Sequence, residues 1–434
     1  MPFETPAAAP RRIAVIGAGI SGLAAAHILG RSHRVVLFEA EKRLGGHART
    51  VMAGKRGDQA VDTGFIVFNR PTYPNLCRLF DELDVPIAES EMSFGASFGG
   101  GRFEYALHGF DAYFAQRRNL VNPAYLRMLR DILRFLRTGH TVKDHPEMTV
   151  DEMIAFLGLG RWFRDRFLLP FSGAIWSTPP EQVGRFPAAA MIRFFENHAL
   201  LQYNGQHQWY TVRGGSVEYV RRLEAALRAQ GAELRSGTPV AAVRRGEAGA
   251  APVEVKSVGG DWEGFDEVVF ATHSNQSLAM LADARPDERA ALSKIRYQPN
   301  RAVLHADTRL MPRRRKCWAS WVYTEAADHT PGPVSLSYWM NALQPIPRDD
   351  PLFVTLNSRR EIRQELIHDE TVFHHPVYDI AAMRGQAEVR ALNGTGGTWF
   401  CGAWMRNGFH EDGFASAVEV AEAIARRDAE RVAA

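Results

Sequence analysis

Three glycines and one carboxylate near the start of the chain have the residue types and the spacing that bind a dinucleotide. Gly17, Gly19 and Gly22 follow one apolar run, and Glu39 ends the next. Gly17 allows a tight strand-to-helix turn, Gly19 leaves room for a diphosphate at the backbone, and Gly22 brings the helix close to the strand. The Glu39 carboxylate suits the hydroxyls of an adenosine ribose and repels a 2′-phosphate, so the motif disfavours NADP.

The elements that must position these residues are a strand, a helix and a second strand. The pattern predicts strands over residues 13–16 and 35–38, with a helix of small residues between them. Ile20 and Ser21 open this helix, where free N–H groups and the positive end of the helix dipole favour a phosphate. Glycine spacing alone is a weak signal, but here it lies between two strand-like runs and has the acid at the expected distance.

Composition limits the remaining possibilities. A chain of 434 residues with 46% hydrophobic and 23% charged residues is typical of a soluble globular protein with two domains. The net charge of +3 is too small to indicate nucleic-acid binding. Cys77, Cys317 and Cys401 are far apart, and the histidines fit no standard ligand spacing, so we expect no disulfide framework and no metal site. The start of the chain lacks an apolar signal segment, and we expect a cytoplasmic protein.

The nucleotide-binding pattern is interrupted and then resumes. We predict a discontinuous nucleotide-binding domain made of residues 1–65, 205–290 and 390–434, and a substrate-binding domain made of residues 66–204 and 291–389. The first intervening piece has mainly helical spacing and many aromatic residues, and the second is rich in alternating, strand-like patterns. Neither piece carries a dinucleotide motif.

The segment that follows the acid indicates which dinucleotide binds. It reads EAEKRLGGH over residues 39–47 and resembles the E-A-x-x-R-x-G-G-R segment of the flavin amine oxidase and phytoene desaturase superfamily. The motif positions after the acid are Ala40, Arg43, Gly45, Gly46 and His47. His47 is the departure, because the family usually has an arginine there; a histidine still donates to phosphate or ribose but has no permanent charge.

The resemblance implies FAD as the cofactor and an α/β fold of the amine-oxidase type. In that fold a Rossmann-like FAD-binding domain, a parallel sheet flanked by helices, carries an inserted α+β substrate domain. Further segments resemble the family at Thr63-Gly64, which returns to the edge of the isoalloxazine, and at Val240, which holds adenine by its backbone. Ala271-Thr272 matches the strand end that closes over the dinucleotide.

The last matching segment lies near the end of the chain. The family pattern is a strand ending at Gly402, a loop, and a helix that begins near Gly413 and runs to about Arg427. The resemblance implies that N–H groups around Phe414 stabilise negative charge on the reduced flavin, and that Asp412 lies near the ribityl or diphosphate group. Cys401 is within the strand, so we expect FAD to be bound non-covalently.

The residues that would react with substrate are less well defined. Amine oxidases of this superfamily usually carry a lysine beside the flavin on a strand that corresponds to residues 297–305, where this chain has none. Trp404 could supply one aromatic wall, and His410 and Glu411 could position the flavin, exchange protons or cap a helix. Amine oxidation, a redox-neutral flavin-dependent isomerisation and a non-catalytic flavin- or NAD-binding module remain as alternatives to dehydrogenation.

One subgroup of the superfamily resembles this chain more than the superfamily as a whole does. These bacterial NAD/FAD-binding oxidoreductases end in F-C-G-A-W-x-x-x-G-F-H-E-D-G, which this chain has at residues 400–413, and residues 62–69 are also similar to theirs. Members are associated with lipid-modifying methyltransferases of the cyclopropane fatty-acid type, and some are implicated in desaturating methyl-branched acyl chains. The resemblance therefore implies an FAD-dependent oxidoreductase that removes hydrogen from a fatty-acyl or other lipid chain, with such a methyltransferase in the same pathway.

Two segments of the helical piece permit more than one interpretation. Residues 126–137 form an amphipathic pattern that fits either peripheral contact with an anionic membrane or an ordinary surface helix. The spacing places four arginines on one face, Arg127, Arg130, Arg134 and Arg137, and four apolar residues on the other, Leu129, Ile132, Leu133 and Leu136. A set of aromatic residues lines an apolar tunnel or fills a core: Phe163, Phe167, Phe171, Trp176, Phe194 and Phe195.

Overall fold

The structure is a computed structural model that describes residues 9–145, 147–201, 207–246, 251–325 and 332–433. The described strands are, in chain order, β1 Arg12–Ile16, β2 Arg34–Phe38, β3 Thr50–Ala53, β4 Gln59–Asp62, β5 Val67–Asn69, β6 Ile87–Ser90, β7 Phe94–Phe98, β8 Phe103–Ala106, β9 Trp209–Val212, β10 Glu233–Arg235, β11 Val240–Arg245, β12 Val253–Ser257, β13 Trp262–Phe265, β14 Glu267–Phe270, β15 Arg296–His305, β16 Trp321–Thr324, β17 Leu336–Trp339, β18 Phe353–Leu356, β19 Ile367–Val377 and β20 Thr398–Phe400.

The described α-helices are, in the same order, α1 Ile20–Leu29, α2 Pro74–Glu82, α3 Phe110–Tyr113, α4 Pro123–Thr138, α5 Val150–Phe156, α6 Arg161–Phe163, α7 Leu169–Trp176, α8 Pro180–Val183, α9 Ala188–Asn197, α10 Val217–Ala229, α11 Ser274–Met280, α12 Pro286–Leu292, α13 Met340–Leu343, α14 Ile380–Leu392 and α15 His410–Ala433. In this part of the chain no helix is both long and apolar enough to cross a membrane.

A five-stranded parallel sheet forms the nucleotide-binding half, with the strand order β10-β2-β1-β14-β20. Its central strand is apolar on both faces, because each face is covered by helices. Ile13 and Val15 pack in a core with α1, α10 and α15, whereas Ala14 and Ile16 pack in a second core with α12 and α14. The predicted strand-helix-strand unit and the Rossmann-like parallel sheet are confirmed.

A seven-stranded sheet forms the other half, with the strand order β19-β15-β18-β17-β16-β7-β8. Its pairs are antiparallel except for β16 with β7. One face packs against α4 to α9 in a large aromatic core, so both intervening pieces of the chain contribute to one α+β unit. The expected α+β character of this half is confirmed, while the domain boundaries stay a prediction.

Two helices differ from the expectations. The last helix begins at His410 rather than near Gly413, because the Asp412 carboxylate accepts a hydrogen bond from the Phe409 N–H and closes the first turn. The spacing placed Leu133 on the buried side of α4, and this is wrong: Leu133 is 43% exposed. Leu133 follows Arg130 by one turn and points outward with it, opposite Met128 and Phe135.

Candidate functional site

The glycine turn has the geometry that a bound diphosphate requires. Gly17 has φ +98°, a conformation that favours glycine, and its N–H donates to the Phe38 carbonyl. A side chain at Gly22 would overlap the Gly17 carbonyl, so only glycine lets α1 pack this close to the turn. A Cβ placed on Gly19 meets no atom within 4 Å. The turn is therefore closed on its inner side and open at Gly19, where the diphosphate is expected.

Glu39 lies at the carboxyl end of β2, next to the opening at Gly19. Its carboxylate accepts the Ala18 N–H at 2.7 Å and the Glu41 N–H at 2.9 Å, while Ala40 is exposed in the same loop. The Thr238 N–H donates to the Glu39 carbonyl, which brings the start of β11 and Val240 to this end of the sheet. The predicted adenosine contacts therefore come together from two distant segments.

The glycine pair after the acid is tied to the same turn. Gly45 and Gly46 have φ +111° and +56°, and the Gly45 N–H donates to the Ala18 carbonyl. A Cβ on Gly46 would lie 3.0 Å from the Gly19 Cα. Arg43 donates to the Gly46 carbonyl at 2.8 Å and so supports this loop from behind. The structure thus brings the two glycine motifs into contact.

The end of the chain meets the start at the amino ends of two helices. A Cβ on Gly413 would lie 2.7 Å from Ser21 Oγ and 2.9 Å from Ile20 Cγ2, so α15 approaches α1 as closely as glycine allows. The Gly402 N–H donates to Ser416 Oγ at 2.8 Å, which ties the end of β20 to α15. The two amino ends converge here, and their free N–H groups and dipoles favour an anion. Phe414, also in the first turns of α15, packs in the core that α15 shares with α1.

The strand ends beside this junction are held by buried polar groups. The Ala271 N–H donates to the Ile16 carbonyl, which extends the pairing of β14 with β1. Trp404 is 2% exposed, and its Nε1 donates to the Thr272 carbonyl at 3.0 Å. This bond places Trp404 beneath the strand end as a support, and its proposed role as an aromatic wall stays a prediction.

Asp62 anchors the segment that contains Thr63 and Gly64. Its carboxylate accepts hydrogen bonds from the Ser216 N–H and hydroxyl, from Thr50 Oγ1 and from Gln344 Nε2. Burial raises the pKa of Asp62 to about 6 despite these donors. Thr63 Oγ1 donates to the Arg49 carbonyl. A Cβ on Gly64 would overlap the His47 carbonyl, so this segment lies directly against the glycine-pair loop.

His47 lies where this loop meets the seven-stranded sheet. Its ring stacks on Phe373 with centroids 4.9 Å apart, and His375 and His273 lie within 5.8 and 6.1 Å. Its Nε2 is buried, and no described residue accepts or donates a hydrogen bond there. Burial lowers the pKa of His47 to about 4, so the ring is neutral at pH 7. A neutral imidazole with an unused nitrogen is available to a bound cofactor.

Strand β15, which was searched for a lysine, carries a buried amide at Asn300. Asn300 on β15 is 1% exposed and shares a face with Ala302 and Leu304 of the aromatic core. Its Oδ1 accepts Asn357 Nδ2 at 2.7 Å, and its Nδ2 lies 3.0 Å from His375 Nδ1. The side chain is therefore fully engaged and uncharged.

The two acids in the first turn of α15 have different roles in the structure. Glu411 accepts the Asn75 and Leu76 N–H groups and the Asn75 side-chain amide, at 2.7–3.1 Å, and so caps the start of α2. Burial raises the pKa of Asp412 to about 6. Its carboxylate accepts the Phe409 N–H, as described above. A catalytic role for Glu411 stays a prediction that its capping bonds do not favour.

His410 faces away from these acids. Its ring stacks on Phe65 at 3.8 Å, and its Nε2 is hydrogen-bonded to the Tyr219 hydroxyl at 2.8 Å. Burial lowers the pKa of His410 to about 3 and raises that of Tyr219. Both groups are therefore neutral at pH 7, and a catalytic role for His410 stays a prediction.

Four site residues were not singled out from the sequence, although it contained signals for three of them. Phe65 directly follows the D-T-G segment, and Phe409 is part of the matched G-F-H-E-D-G segment. Asn300 lies in the strand that was searched for a lysine, and strand alternation places it on the face of Ala302. Phe373 carried no local signal, because its contact with His47 depends on the pairing of strands far apart in sequence.

The comparison with protein families decides the assignment. A model of the family described as flavin containing amine oxidoreductase matches residues 20–425. The chain belongs to the flavin containing amine oxidoreductase family. It is therefore a flavin-containing oxidoreductase by family, as the glycine motifs and the carboxyl-terminal helix predicted.

Curated members of this flavin family match a short segment only. The L-amino-acid oxidase of Vipera ammodytes ammodytes is 47% identical over 49 residues, which are 11% of this chain and 10% of the oxidase. That of Sistrurus catenatus edwardsii is 50% identical over 42 residues, 9% of this chain and 8% of the oxidase. The chain thus spans about a tenth of the length of these curated relatives.

Solved structures of the flavin family match almost the whole chain. Putrescine oxidase bound to putrescine has a TM-score of 0.70 at 15% identity, over 96% of this chain and 99% of that one. A fatty acid isomerase from P. acnes that produces CLA has a TM-score of 0.67 at 17% identity, over 96% and 98%. At these identities the similarity shows the fold.

The residues present fit FAD, the cofactor of the family. Gly19 is open where the diphosphate is expected, Glu39 lies where the ribose is expected, and the buried His47 Nε2 is an unused hydrogen-bonding atom at the loop between the two halves. Non-covalent binding stays a prediction. Cys401 agrees with it, because burial raises the pKa of this thiol to about 12 and makes it a poor nucleophile.

Proposed function

We propose that this chain is an FAD-dependent dehydrogenase that removes hydrogen from an apolar fatty-acyl chain. The observation that carries the proposal is the aromatic series beside the amino end of α15. Phe409 stacks on Phe194 with centroids 4.9 Å apart, and Phe194 continues to Trp176 at 4.9 Å and to Phe195 at 6.3 Å. Side chains of this kind bury hydrocarbon and carry no formal charge that would pair with a charged substrate.

Two polar side chains of this half of the protein are uncharged, while the Asp412 carboxylate accepts the Phe409 N–H at the start of the series. His198 stacks on Phe194 at 4.0 Å, and burial lowers its pKa to about 4. Asn300 occupies the strand where the family's amine oxidases have a lysine, and its amide is bonded to Asn357 and His375. An acyl chain suits these surroundings better than a protonated amine, whose charge would lose its water without gaining a carboxylate partner among these residues.

The chain's own residues contribute binding, orientation and exclusion of water. FAD, when bound, accepts a hydride from a substrate C–H bond, and this chemistry belongs to the cofactor. The aromatic series holds the acyl chain against the cofactor, and the neutral imidazoles of His47 and His375 keep the surroundings free of charge. The amino end of α15 favours the negative charge that the accepted electrons bring.

A redox-neutral isomerase is the second candidate. Its support is the match over nearly the whole chain to the solved structure of a fatty acid isomerase. Such a reaction begins with the same hydride removal and ends with return of the hydride to a different carbon. A methyltransferase of the cyclopropane type as a pathway partner depends on the sequence resemblance alone.

The lipids of cells that make the protein test the proposal. Extracts are compared from cells with the wild-type chain, with no added chain, and with Gly19→Ala, which is designed to fold without FAD. Dehydrogenation predicts new unsaturation in fatty-acyl chains with the wild type alone. Moved double bonds at constant unsaturation would favour the isomerase, and identical lipid profiles in all three would contradict both.

A further inference from the structure

Exposed apolar side chains are concentrated in one short segment outside the cofactor site. Of the nine large apolar side chains that are exposed among the described residues, five fall between positions 110 and 133. They are Phe110 at 66%, Leu120 at 42%, Val121 at 82%, Leu126 at 42% and Leu133 at 43% exposed. Single exposed apolar residues are ordinary, whereas a group of this kind marks an interaction surface.

Helix α4 carries part of this group on a defined stripe. Leu126, Arg130, Leu133 and Arg137 follow one another at intervals of four, three and four residues, so they share one face of the helix. The opposite face, which includes Met128 and Phe135, is buried. The outer stripe therefore alternates leucine with arginine, and Val121 and Leu120 extend it beyond the amino end of α4. We call this surface, with Phe110 and the neighbouring exposed arginines Arg127 and Arg134, the α4 surface.

The charge of the segment is strongly positive. Residues 110–138 contain six arginines and two aspartates, a net formal charge of +4, whereas the whole chain has +3. Both aspartates form hydrogen bonds or ion pairs. Asp131 is 1% exposed and accepts from Arg130 and from the Gly160 N–H, and Asp111 pairs with Arg117 and Lys316. Arg130 is thus paired with Asp131, whereas no carboxylate among the described residues pairs with Arg127, Arg134 or Arg137.

From this combination we infer that the α4 surface docks on an anionic lipid bilayer. Exposed leucine, valine and phenylalanine side chains enter the boundary between headgroups and acyl chains, and the arginines bind lipid phosphates. A second copy of the chain is a poorer occupant, because two such surfaces would bring like charges together. The inference requires only the surface residues, not the proposed reaction.

The inner face of the same helix connects the surface to the candidate active site. Phe135 lies 5.4 Å from Phe163 and 6.3 Å from Phe195 by ring centroids. Phe195 lies 6.3 Å from Phe194, which stacks on Phe409. The docked surface and the aromatic series thus lie on two sides of α4. This step depends on the proposed function, whereas docking itself does not.

Co-sedimentation with vesicles tests the docking. The purified holoenzyme is mixed with vesicles of phosphatidylcholine alone and with vesicles of equal parts phosphatidylcholine and phosphatidylglycerol. We expect binding to the second set only, with a loss of binding as salt increases. Replacing two arginines, Arg127→Gln with Arg134→Gln, lowers the partition coefficient about 30-fold, as expected from two basic residues near an anionic surface. The matched control, Arg221→Gln with Arg289→Gln, leaves binding unchanged.

The apolar contribution is tested in the same way. Val121→Asp with Leu126→Asp abolishes binding, whereas Val258→Asp with Val372→Asp, two exposed apolar residues elsewhere, does not. All variants retain the FAD content of the wild type, which confirms their folding. The inference is overturned if the wild type does not bind anionic vesicles, or if a surface variant and its control lose binding equally. It is also overturned if the surface proves to join two copies of the chain in solution. Because no turnover is measured, these outcomes are independent of the proposed reaction.

Discussion

The rings of Phe65 and His410 stack face to face, with centroids 3.8 Å apart and planes inclined by 12°. Phe65 follows the Asp62-Thr63-Gly64 segment and His410 opens α15, so the contact joins two segments that both border the proposed FAD site. Together with the Tyr219 hydrogen bond it fixes the imidazole in a buried, neutral state. The imidazoles of the half-buried His47, His273 and His375, around the junction of the two halves, are neutral as well.

The protein is expected to lose stability in mild acid, because these imidazoles have lowered pKa values. Burial lowers the pKa of His47 to about 4 and those of His273, His375 and His410 to about 3. An unfolded histidine has a pKa of about 6.5, so the unfolded chain binds more protons as the pH falls below that value. The contribution of these neutral imidazoles to the unfolding free energy is therefore complete above pH ~6.5 and declines as the pH falls towards 4.

Two aspartates oppose this trend in part, and a variant separates the contributions. Asp62 and Asp412 have pKa values raised to about 6, so they add stability as the pH falls through that value. Urea unfolding at a series of pH values is expected to show a net loss of unfolding free energy as the pH falls. His375→Gln is expected to reduce the slope of unfolding free energy against pH by at most about 1.4 kcal/mol per pH unit. The exposed His140→Gln serves as control. If His375→Gln leaves the slope of unfolding free energy against pH unchanged, the lowered pKa of His375 is contradicted.

Substitution of Gly19, the second glycine of the turn, is expected to weaken cofactor binding without affecting folding. Gly19→Ala adds a Cβ that meets no protein atom within 4 Å, so the unfolding free energy of the FAD-free protein changes by less than about 0.5 kcal/mol. The same methyl group enters the diphosphate position and weakens FAD binding by about tenfold or more, measured by fluorescence titration. Gly260→Ala, whose Cβ has ordinary contacts, is the control. Normal FAD affinity in Gly19→Ala would show that the diphosphate lies elsewhere.

Glu411→Gln distinguishes a helix cap from a catalytic acid. The carboxylate caps α2 through the Asn75 and Leu76 N–H groups, and loss of its charge is expected to lower the unfolding free energy by about 1 kcal/mol. Thermal unfolding measures this loss, and the rate of flavin reduction at saturating substrate should stay within about twofold of wild type, equivalent to 0.4 kcal/mol. A large drop in that rate with unchanged stability would instead support the catalytic role.

Phe409→Ala tests the apolar surroundings of the substrate. Loss of the stacked ring removes contacts with Phe194 and His198, and kcat/KM for an acyl substrate is expected to fall about tenfold to a hundredfold, the equivalent of 1.4–3 kcal/mol of lost burial. FAD content should not change. Phe156→Ala, at an exposed phenylalanine, is the matched control. Equal effects of the two variants would remove Phe409 from the site.

The sequence predicted the parts of the site that depend on local geometry. The turn at Gly17 and Gly19 follows from backbone conformations over a few residues, and Glu39 follows from the length of one strand-helix-strand unit. The start of α15 was misplaced because the bond from Asp412 to the Phe409 N–H depends on side-chain geometry that spacing does not encode.

Contacts between distant segments were not accessible from the sequence. His375 pairs across from Gln298 on β15, and this register brings its ring to Asn300 and His47. No local pattern specifies that register, because it is set by the packing of the whole sheet. The outward position of Leu133 was missed for a different reason, since a leucine among apolar neighbours was assigned to the buried face by type rather than by angle around α4.

Anaerobic mixing of the purified holoenzyme with candidate substrates tests the central claim most directly. The absorbance of the bound flavin is followed after addition of fatty acids or their thioesters, and separately after addition of putrescine, with Phe409→Ala and Phe156→Ala in parallel. Dehydrogenation of an apolar chain predicts bleaching by an acyl substrate, slower bleaching in Phe409→Ala only, and no bleaching by putrescine. Bleaching by putrescine with no response to any acyl compound would contradict it.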